Sequence, residues 1–584
     1  MSMLFHPSMN LPFSDQEGQY FHLFREHTAS ELSGFFDSAF WTRSVLQECH
    51  SATAIRHAVV ALGALYKTLD KSNESPPSSP YPDADPTDSA MRHWEMAFRQ
   101  YSHACNALVK ADSTDTTTSH RTRLMASVLL ACFDSFVGDH RQAIVQIQTG
   151  LGLLEQLRAE RRRAFLSSSD EPVEEELTQM FTRLAIQAKS YDMAFHFPQP
   201  WVVRLTSNQS QDPTSPCSDA SSPSPMAQDP IPDRFGSVME ARVAWDKLCE
   251  RIFRFTETMF LHAQNGVMGV LPTSLQHYGI SFKKDMEAWS QAFDHILTSR
   301  TAPGVSSQEK AAIAVLKMSQ IMSKILFLMT FSDSEMHFDN FTPYFKGIVD
   351  LALEVVGDEE RRAAARRCPE SGFCRHQDRC QPDIFGGHEY AARHIKPSFS
   401  ADLGIVPPLY VVATKCREPH IRRQAIQLLR SSARREGMWD SELTARIGMW
   451  IAEVEEEDVD FFGGSGYGNS IPTPGSSPVQ TQSRPSTSGG SPQSYRSEHG
   501  SNGNIKWESS SSVSPGPNSS HTTYPSPQSP QQQRKAIPIP EEKRVMVRAV
   551  EFDLRERSAV IQLGSRNLKT GTPDLKTRVT KITW

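Results

Sequence analysis

A chain of 584 residues, 38% of them hydrophobic, can bury one large core or several. Its 61 Lys and Arg stand against 67 Asp and Glu, a net charge of −6, so the chain as a whole has no bulk attraction for nucleic acid or acidic membranes. Nine scattered cysteines suit a reducing compartment rather than a disulfide framework. Residues 1–15 lack a basic stretch followed by an apolar run, so no secretory signal is expected. The longest apolar run, 313–331, is broken by Lys317, Gln320 and Lys324, and no membrane span is expected from it. The expectation is a soluble intracellular protein.

In chain order, Asp37 is placed to cap a helix carrying Phe40, Trp41 and Val45, and Ser51 to cap the next. There Ile55, Val59, Leu62, Tyr66 and Leu69 recur at alternating intervals of four and three, the period of an amphipathic helix. A turn-rich linker is expected over 70–89. Beyond it Met91, Trp94, Phe98, Tyr101, Cys105 and Leu108 repeat the pattern. Helices follow over 121–137, after Asp139 (Ala143, Ile147, Leu151, Leu154) and over 174–195 (Leu177, Phe181, Leu184, Ala188). Residues 207–234 are rich in Ser, Pro and Asp and too poor in apolar surface to offset ordering entropy, which predicts a mobile loop. Helices resume with Trp245, Leu248, Ile252, Phe255 and Met259 on one face; 306–331, apolar on most sides, is expected as a central buried helix, and 341–356 follows it. An irregular segment is expected over 358–397.

The stretch 403–441, LGIVPPLYVVATKCREPHIRRQAIQLLRSSARREGMWDS, predicts short antiparallel helices. Pro407 and Pro408 end what precedes them, 409–417 forms an apolar helix, and Pro419 opens another. On that second helix Ile421, Ala425, Leu428 and Leu429 share one face, while Arg423, Gln427, Arg430 and Arg434 share the opposite one. Gly437 reads as the helix stop and Asp440 or Ser441 as the cap of a third helix with Leu443, Ile447, Trp450, Ile451 and Val454 on one stripe. Residues 463–534 are dominated by Ser, Pro, Gly and Gln and predict disorder. In the last fifty residues Val545, Val547 and Ala549 alternate with charges, and 558–563 and 577–584 look like further short strands of a small antiparallel meander packed back on the helices.

The wording of 403–441 resembles the closing part of the regulatory domain of fungal binuclear zinc-cluster transcription factors. YFHLFREHTASELSGFFDSAFWTRSVLQECHSATAIRHAVVALGALYK, over 20–67, resembles its opening part. The resemblance implies a regulator of RNA polymerase II transcription in a fungal nucleus. It also implies protein partners in the transcription machinery or another regulator, with homodimerisation left open. The DNA-reading module of that family uses six cysteines in two sets, each beginning Cys-x-x-Cys. This sequence contains no Cys-x-x-Cys, and the resemblance begins near Ser8, where a typical member has already passed its cluster. Two readings stay open: a longer natural protein, or a regulator without its own reading head. No cofactor is evident in these residues, and zinc enters only if a cluster lies upstream of residue 1.

Other chemistry is thin. Cys368, Cys374 and Cys380, with His376 and His388 nearby, have the ligand types for zinc but not the spacing of a known finger, so an exposed loop with free thiols is the stronger reading. His388-Glu389 lacks the second zinc-protease histidine, because position 392 is Ala392 and His394 falls on another face. Gly463-Gly464-Ser465-Gly466 is followed by Tyr467 and fails as a nucleophile elbow. Arg423, Arg430 and Arg434 form a candidate interaction surface. Solvation, or ion pairs with the acidic helix end at Glu453, Glu455, Glu456 and Glu457, outweighs weak contact with DNA phosphates. Trp94, Trp245 and Trp450 are expected in the core.

The fold expected is all-α: a stacked antiparallel helical array over 1–462, a disordered segment over 463–536 and a small β-like end over 537–584. The function expected is transcriptional regulation and not catalysis, against two alternatives: a helical scaffold acting through protein partners, and an enzyme with a pocket among the helices.

Overall fold

The computed structural model describes residues 13–36, 38–71, 86–113, 120–163, 172–195, 230–265, 273–368, 394–457, 538–554, 556–565 and 578–584. Met1–Val459 and Pro538–Trp584 form one unit. Asp460–Ile537, the second, lies outside the described residues, as do most of 207–234 and all of 463–534.

Helix α1 (Asp15–Leu23) starts with a reciprocal cap: the Ser14 hydroxyl accepts the Glu17 N–H, and the Glu17 carboxylate accepts the Ser14 N–H. A π turn (Phe24–Thr28) carries the chain into α2 (Ala29–Leu32), and a second (Phe40–Ser44) into α3 (Val45–Glu48). The amphipathic pair α4 (Thr53–Lys71) and α5 (Pro86–Ser113) pack along each other. Helices α6 (His120–Val137) and α7 (His140–Arg163) form a hairpin through Gly138, whose φ of 91° only glycine adopts at little cost. Asp139 caps α7 by accepting the Gln142 N–H at 3.1 Å. Then come α8 (Pro172–Phe195), α9 (Val238–Asn265), α10 (Thr273–Ser299), α11 (Ser307–Met329), a 3-10 turn (Glu335–Phe341) and α12 (Thr342–Arg367). Helix α11 is long and apolar enough to cross a bilayer, but 61% of its most apolar window is buried inside the fold. Its lysines are spoken for: Lys317 donates to Ser290 Oγ at 2.6 Å, and Lys324 pairs with Glu287. It is a core helix, as its all-round apolar pattern predicts.

The chain then forms β1 (Ser398–Ser400), α13 (Val406–Lys415), α14 (Pro419–Arg430), β2 (Arg434–Glu436), β3 (Trp439–Asp440) and α15 (Ser441–Glu456). Of the two candidate caps, Asp440 is the one that caps α15, through the Leu443 N–H at 2.8 Å. After Pro538, β4 (Met546–Asp553), β5 (Ser558–Gly564) and β6 (Arg578–Thr583) make an antiparallel sheet in chain order, with a bulge between Val547 and Ala549. The fold class is the one read from the sequence: stacked helices with a small C-terminal meander.

Several local expectations need correction. The 70–89 linker is shorter, because α4 runs to Lys71 and α5 starts at Pro86. The irregular segment 358–397 starts later, because α12 continues to Arg367. Pro407 and Pro408 sit inside the first turn of α13, where their missing N–H groups cost nothing. Helix α14 stops at Arg430, so Arg434 lies on a strand and not on the helix face assigned to it. The small sheet, with β1 parallel and β3 antiparallel to β2, was not read from the sequence. Gly437 is its hairpin turn and not a helix stop; its φ is 58°, and a Cβ there would overlap the Gln187 side-chain amide.

Candidate functional site

The end of α13, the start of α14, the end of α15 and the 3-10 turn meet at a buried cluster of charges. Glu418 caps α14 through the Ile421 N–H, which turns the chain sharply after α13 and gathers Lys415, Arg417 and Arg422 at one point. Helix α15 brings the carboxylates of Glu455 and Glu456 to the same place with its C-terminal end, where they oppose the macrodipole and need cations nearby. Glu455 is fully buried and accepts from Arg417 Nη2 at 2.7 Å, Arg417 Nε at 3.2 Å and Arg422 Nη2 at 2.5 Å. Burial raises its pKa, but the two guanidinium groups overcome this and hold it down to about 2. Glu335, from the 3-10 turn, adds contacts to Lys415 (3.1 Å) and Arg417 (3.3 Å).

The C-terminal segment is clipped onto this cluster. Arg544, fully buried, forks onto Asp339 at 2.9 and 2.6 Å and donates to the carbonyls of Glu335 and Ile539. The Val545 N–H donates to Glu455 at 3.0 Å. The Glu541 carboxylate accepts the N–H groups of Glu335 and Met336, both at 2.9 Å, and the Ser334 hydroxyl at 2.6 Å, capping the 3-10 turn from outside.

Beside the clamp lies a cavity of about 330 Å³ between α8, α9, α11, α13 and β4. Its wall is mainly apolar, with Phe327, Phe338, Tyr410 and Trp439 among its rings. Glu335 and Lys415 belong to both clamp and wall, so the charged end of the cavity is already neutralised. Trp439 is buried among Tyr191, Phe195 and Tyr410, and its indole N–H has no hydrogen-bond partner among the described residues. Burial pushes the Cys249 thiol on the wall well above the usual thiol range, which keeps it protonated and a poor nucleophile.

The three candidate arginines do not share one surface. Arg423 is 45% exposed and pairs with Glu456; Arg430 lies 3.5 Å from Glu442; Arg434 is buried, 2.7 Å from Glu359. Cys368 ends α12, its N–H on the Ala364 carbonyl, while Cys374, Cys380, His376 and His388 lie outside the described residues. Among the described residues no group of three His, Cys, Asp or Glu is placed to hold a metal. Trp245 is buried, and Trp94 and Trp450 pack partly buried against the core. Sequence reading missed Glu335, Asp339, Glu541 and Arg544. The one available signal was Arg544, a charge set directly before the apolar alternation of Val545 and Val547.

The helices up to α8, the last of which lines the cavity, match a known family. Residues 19–197 match the model of the fungal specific transcription factor domain. This part of the chain is similar to a fungal-specific transcription factor domain. The matched stretch runs from within α1 to the end of α8, so Ser190, Met193 and Ala194 of the cavity wall lie inside it, and the clamp lies beyond it. The chain is also similar to the aspercryptin biosynthesis cluster-specific transcription regulator atnN of Emericella nidulans, 23% identical over 461 residues that span 71% of this chain and 70% of that protein. No solved structure matches the chain.

Proposed function

We propose that the chain regulates RNA polymerase II transcription in the nucleus, acting through contacts with other regulatory proteins. The observation that carries this reading is the match of residues 19–197 to the fungal specific transcription factor domain. The relative from Emericella nidulans, named as a transcription regulator of a biosynthetic cluster, supports it and makes genes of such a cluster the target class to test first. Reading DNA directly calls for a zinc cluster, and these 584 residues contain no Cys-x-x-Cys to build one. The effect that these 584 residues carry is assigned to protein contact, with 463–534 as a Ser- and Pro-rich partner-binding segment.

The test tethers residues 1–584 to a foreign DNA-binding domain and reads a reporter gene, then repeats after deletion of 463–534. A changed reporter level is expected, and the deletion should remove most of the change. A reporter that moves in neither direction sinks the regulatory reading. A response untouched by the deletion moves the activity into the helices.

A further inference from the structure

We propose that Ser334 is a phosphorylation site, and that a phosphate there releases the C-terminal segment from the helices. The proposal rests on the clamp and not on the transcriptional reading. The first observation is where the serine stands. Residues 330–334 carry the chain from α11 to the 3-10 turn along the surface. Phe331 is 50% exposed, the Asp333 side chain is 90% exposed, and Ser334 is partly exposed. The Ser334 backbone is extended, with φ −133° and ψ 139°, so the residue already has the open form in which a kinase cleft takes up a substrate chain. In the transfer the Ser334 oxygen bonds to the γ-phosphorus of ATP, the bond from that phosphorus to its bridging oxygen breaks, ADP leaves, and the hydroxyl proton passes to the kinase's base.

The second observation is what the hydroxyl does. It donates to the Glu541 carboxylate at 2.6 Å, which also accepts the N–H groups of Glu335 and Met336. Burial pushes the Glu541 carboxyl up, but these three donors outweigh it and hold the group below the ordinary range, so it is an anion at neutral pH. Esterification removes the donated hydrogen and sets a charge of about −1.5 to −2 against that anion. Phosphate and carboxylate then repel each other and compete for the same two N–H groups, and the tethered phosphate is the one that stays. Glu541 is the first anchor of the segment, ahead of Arg544 on Asp339 and the Val545 N–H on Glu455. The strands β4, β5 and β6 pair with one another in chain order, so they can leave as one piece. With them goes the cavity wall at Val545, Met546 and Val547.

The test uses the full chain in two ways. First, the folded wild-type chain is incubated with ATP and a fungal nuclear extract, and the phosphates are mapped by mass spectrometry; one is expected on Ser334. Second, phosphoserine is placed at position 334 during translation, and the rate of tryptic cleavage after Arg544, buried in the docked segment, reports the undocked fraction. That rate should rise roughly fiftyfold or more. Ser334→Ala, which loses the hydrogen bond without gaining charge, should raise it only about fivefold. Glu541→Gln separates electrostatics from shape. In the unmodified chain it removes an anion that three donors hold, so cleavage should quicken. In the phosphoserine chain it removes one of two opposed charges, so cleavage should slow at least fivefold, a change of sign that a merely structural role does not produce. Should the translated phosphoserine chain not fold, the chain phosphorylated in the extract is put through the same proteolysis. The proposal is overturned by phosphates that map elsewhere and not to Ser334, by an Arg544 that stays protected in the phosphorylated chain, or by a Glu541→Gln effect of the same sign with and without the phosphate.

Discussion

Replacing Glu455 tests whether the buried clamp holds the C-terminal segment on the helices. In Glu455→Ala two buried guanidinium groups lose their shared carboxylate, and the Val545 N–H loses its acceptor. Breaking a buried ion pair by removing one partner costs about 3–5 kcal/mol. The lower end applies here, because Arg417 keeps Glu335 at 3.3 Å, and Arg422 keeps Glu456 at 3.3 Å and the Cys416 carbonyl at 2.6 Å. With a urea m-value near 3 kcal/mol/M, a loss of about 3 kcal/mol lowers the unfolding midpoint by about 1 M. Trypsin provides a second readout. Arg544 is fully buried in the wild type, and undocking β4 should open it to early cleavage.

The same residue fixes an acid limb. The folded-state pKa is held near 2, below the ordinary 4.5, so the stabilisation is complete above about pH 4.5 and is lost as the pH falls towards 2. A shift of that size corresponds to about 3 kcal/mol. Glu455→Gln keeps the shape and an acceptor but cannot titrate, so its stability should fall less between pH 4.5 and 2. An alanine variant with a wild-type midpoint and a protected Arg544, or a glutamine variant with the wild-type acid limb, would refute the reasoning.

His140 and Gly437 give two further checks. His140 is buried edge-on against Tyr191 and Phe552, and burial, helped by Arg435, lowers its pKa from 6.5 to about 3. The unfolded chain then takes up a proton that the folded chain refuses, so stability falls as pH drops below 6.5, by up to about 1.4 kcal/mol per unit; His140→Phe should flatten that part of the profile in urea titrations run from pH 7 to 4. Gly437→Ala should cost about 2–4 kcal/mol in urea unfolding, from positive-φ strain plus overlap with the Gln187 amide, and adding Gln187→Gly should recover only the overlap share.

What the sequence made legible is what repeats locally. The three–four spacing of Ile55, Val59, Leu62, Tyr66 and Leu69 located α4, and all five side chains are buried. Asp139 and Asp440 announced α7 and α15, because a cap bonds a backbone group only three residues away. Arg434 was misplaced for the same reason. The helical count was carried past Arg430, while the three-residue strands of the small sheet are too short for alternation to register. The pairing of β1 with β2 joins Ser398 to Arg434 across the chain, and no local rule carries that distance.

The clamp shows why the candidate site was harder to read than the fold. Glu335 meets Arg417 across 82 residues, Arg544 meets Asp339 across 205, and Glu541 reaches the Ser334 hydroxyl across 207. Each of these residues alone looks like ordinary surface charge, since Glu, Asp and Arg are mostly exposed unless paired. Burial is what turns them into a lock, and burial depends on α13, α15 and the 3-10 turn arriving together. The cavity follows from the same assembly: its wall draws on α8, inside the stretch that matches the family, and on β4 after residue 538, two pieces that the clamp brings face to face. A change that unlocks Glu455 therefore loosens the cavity wall at Val545 and Val547.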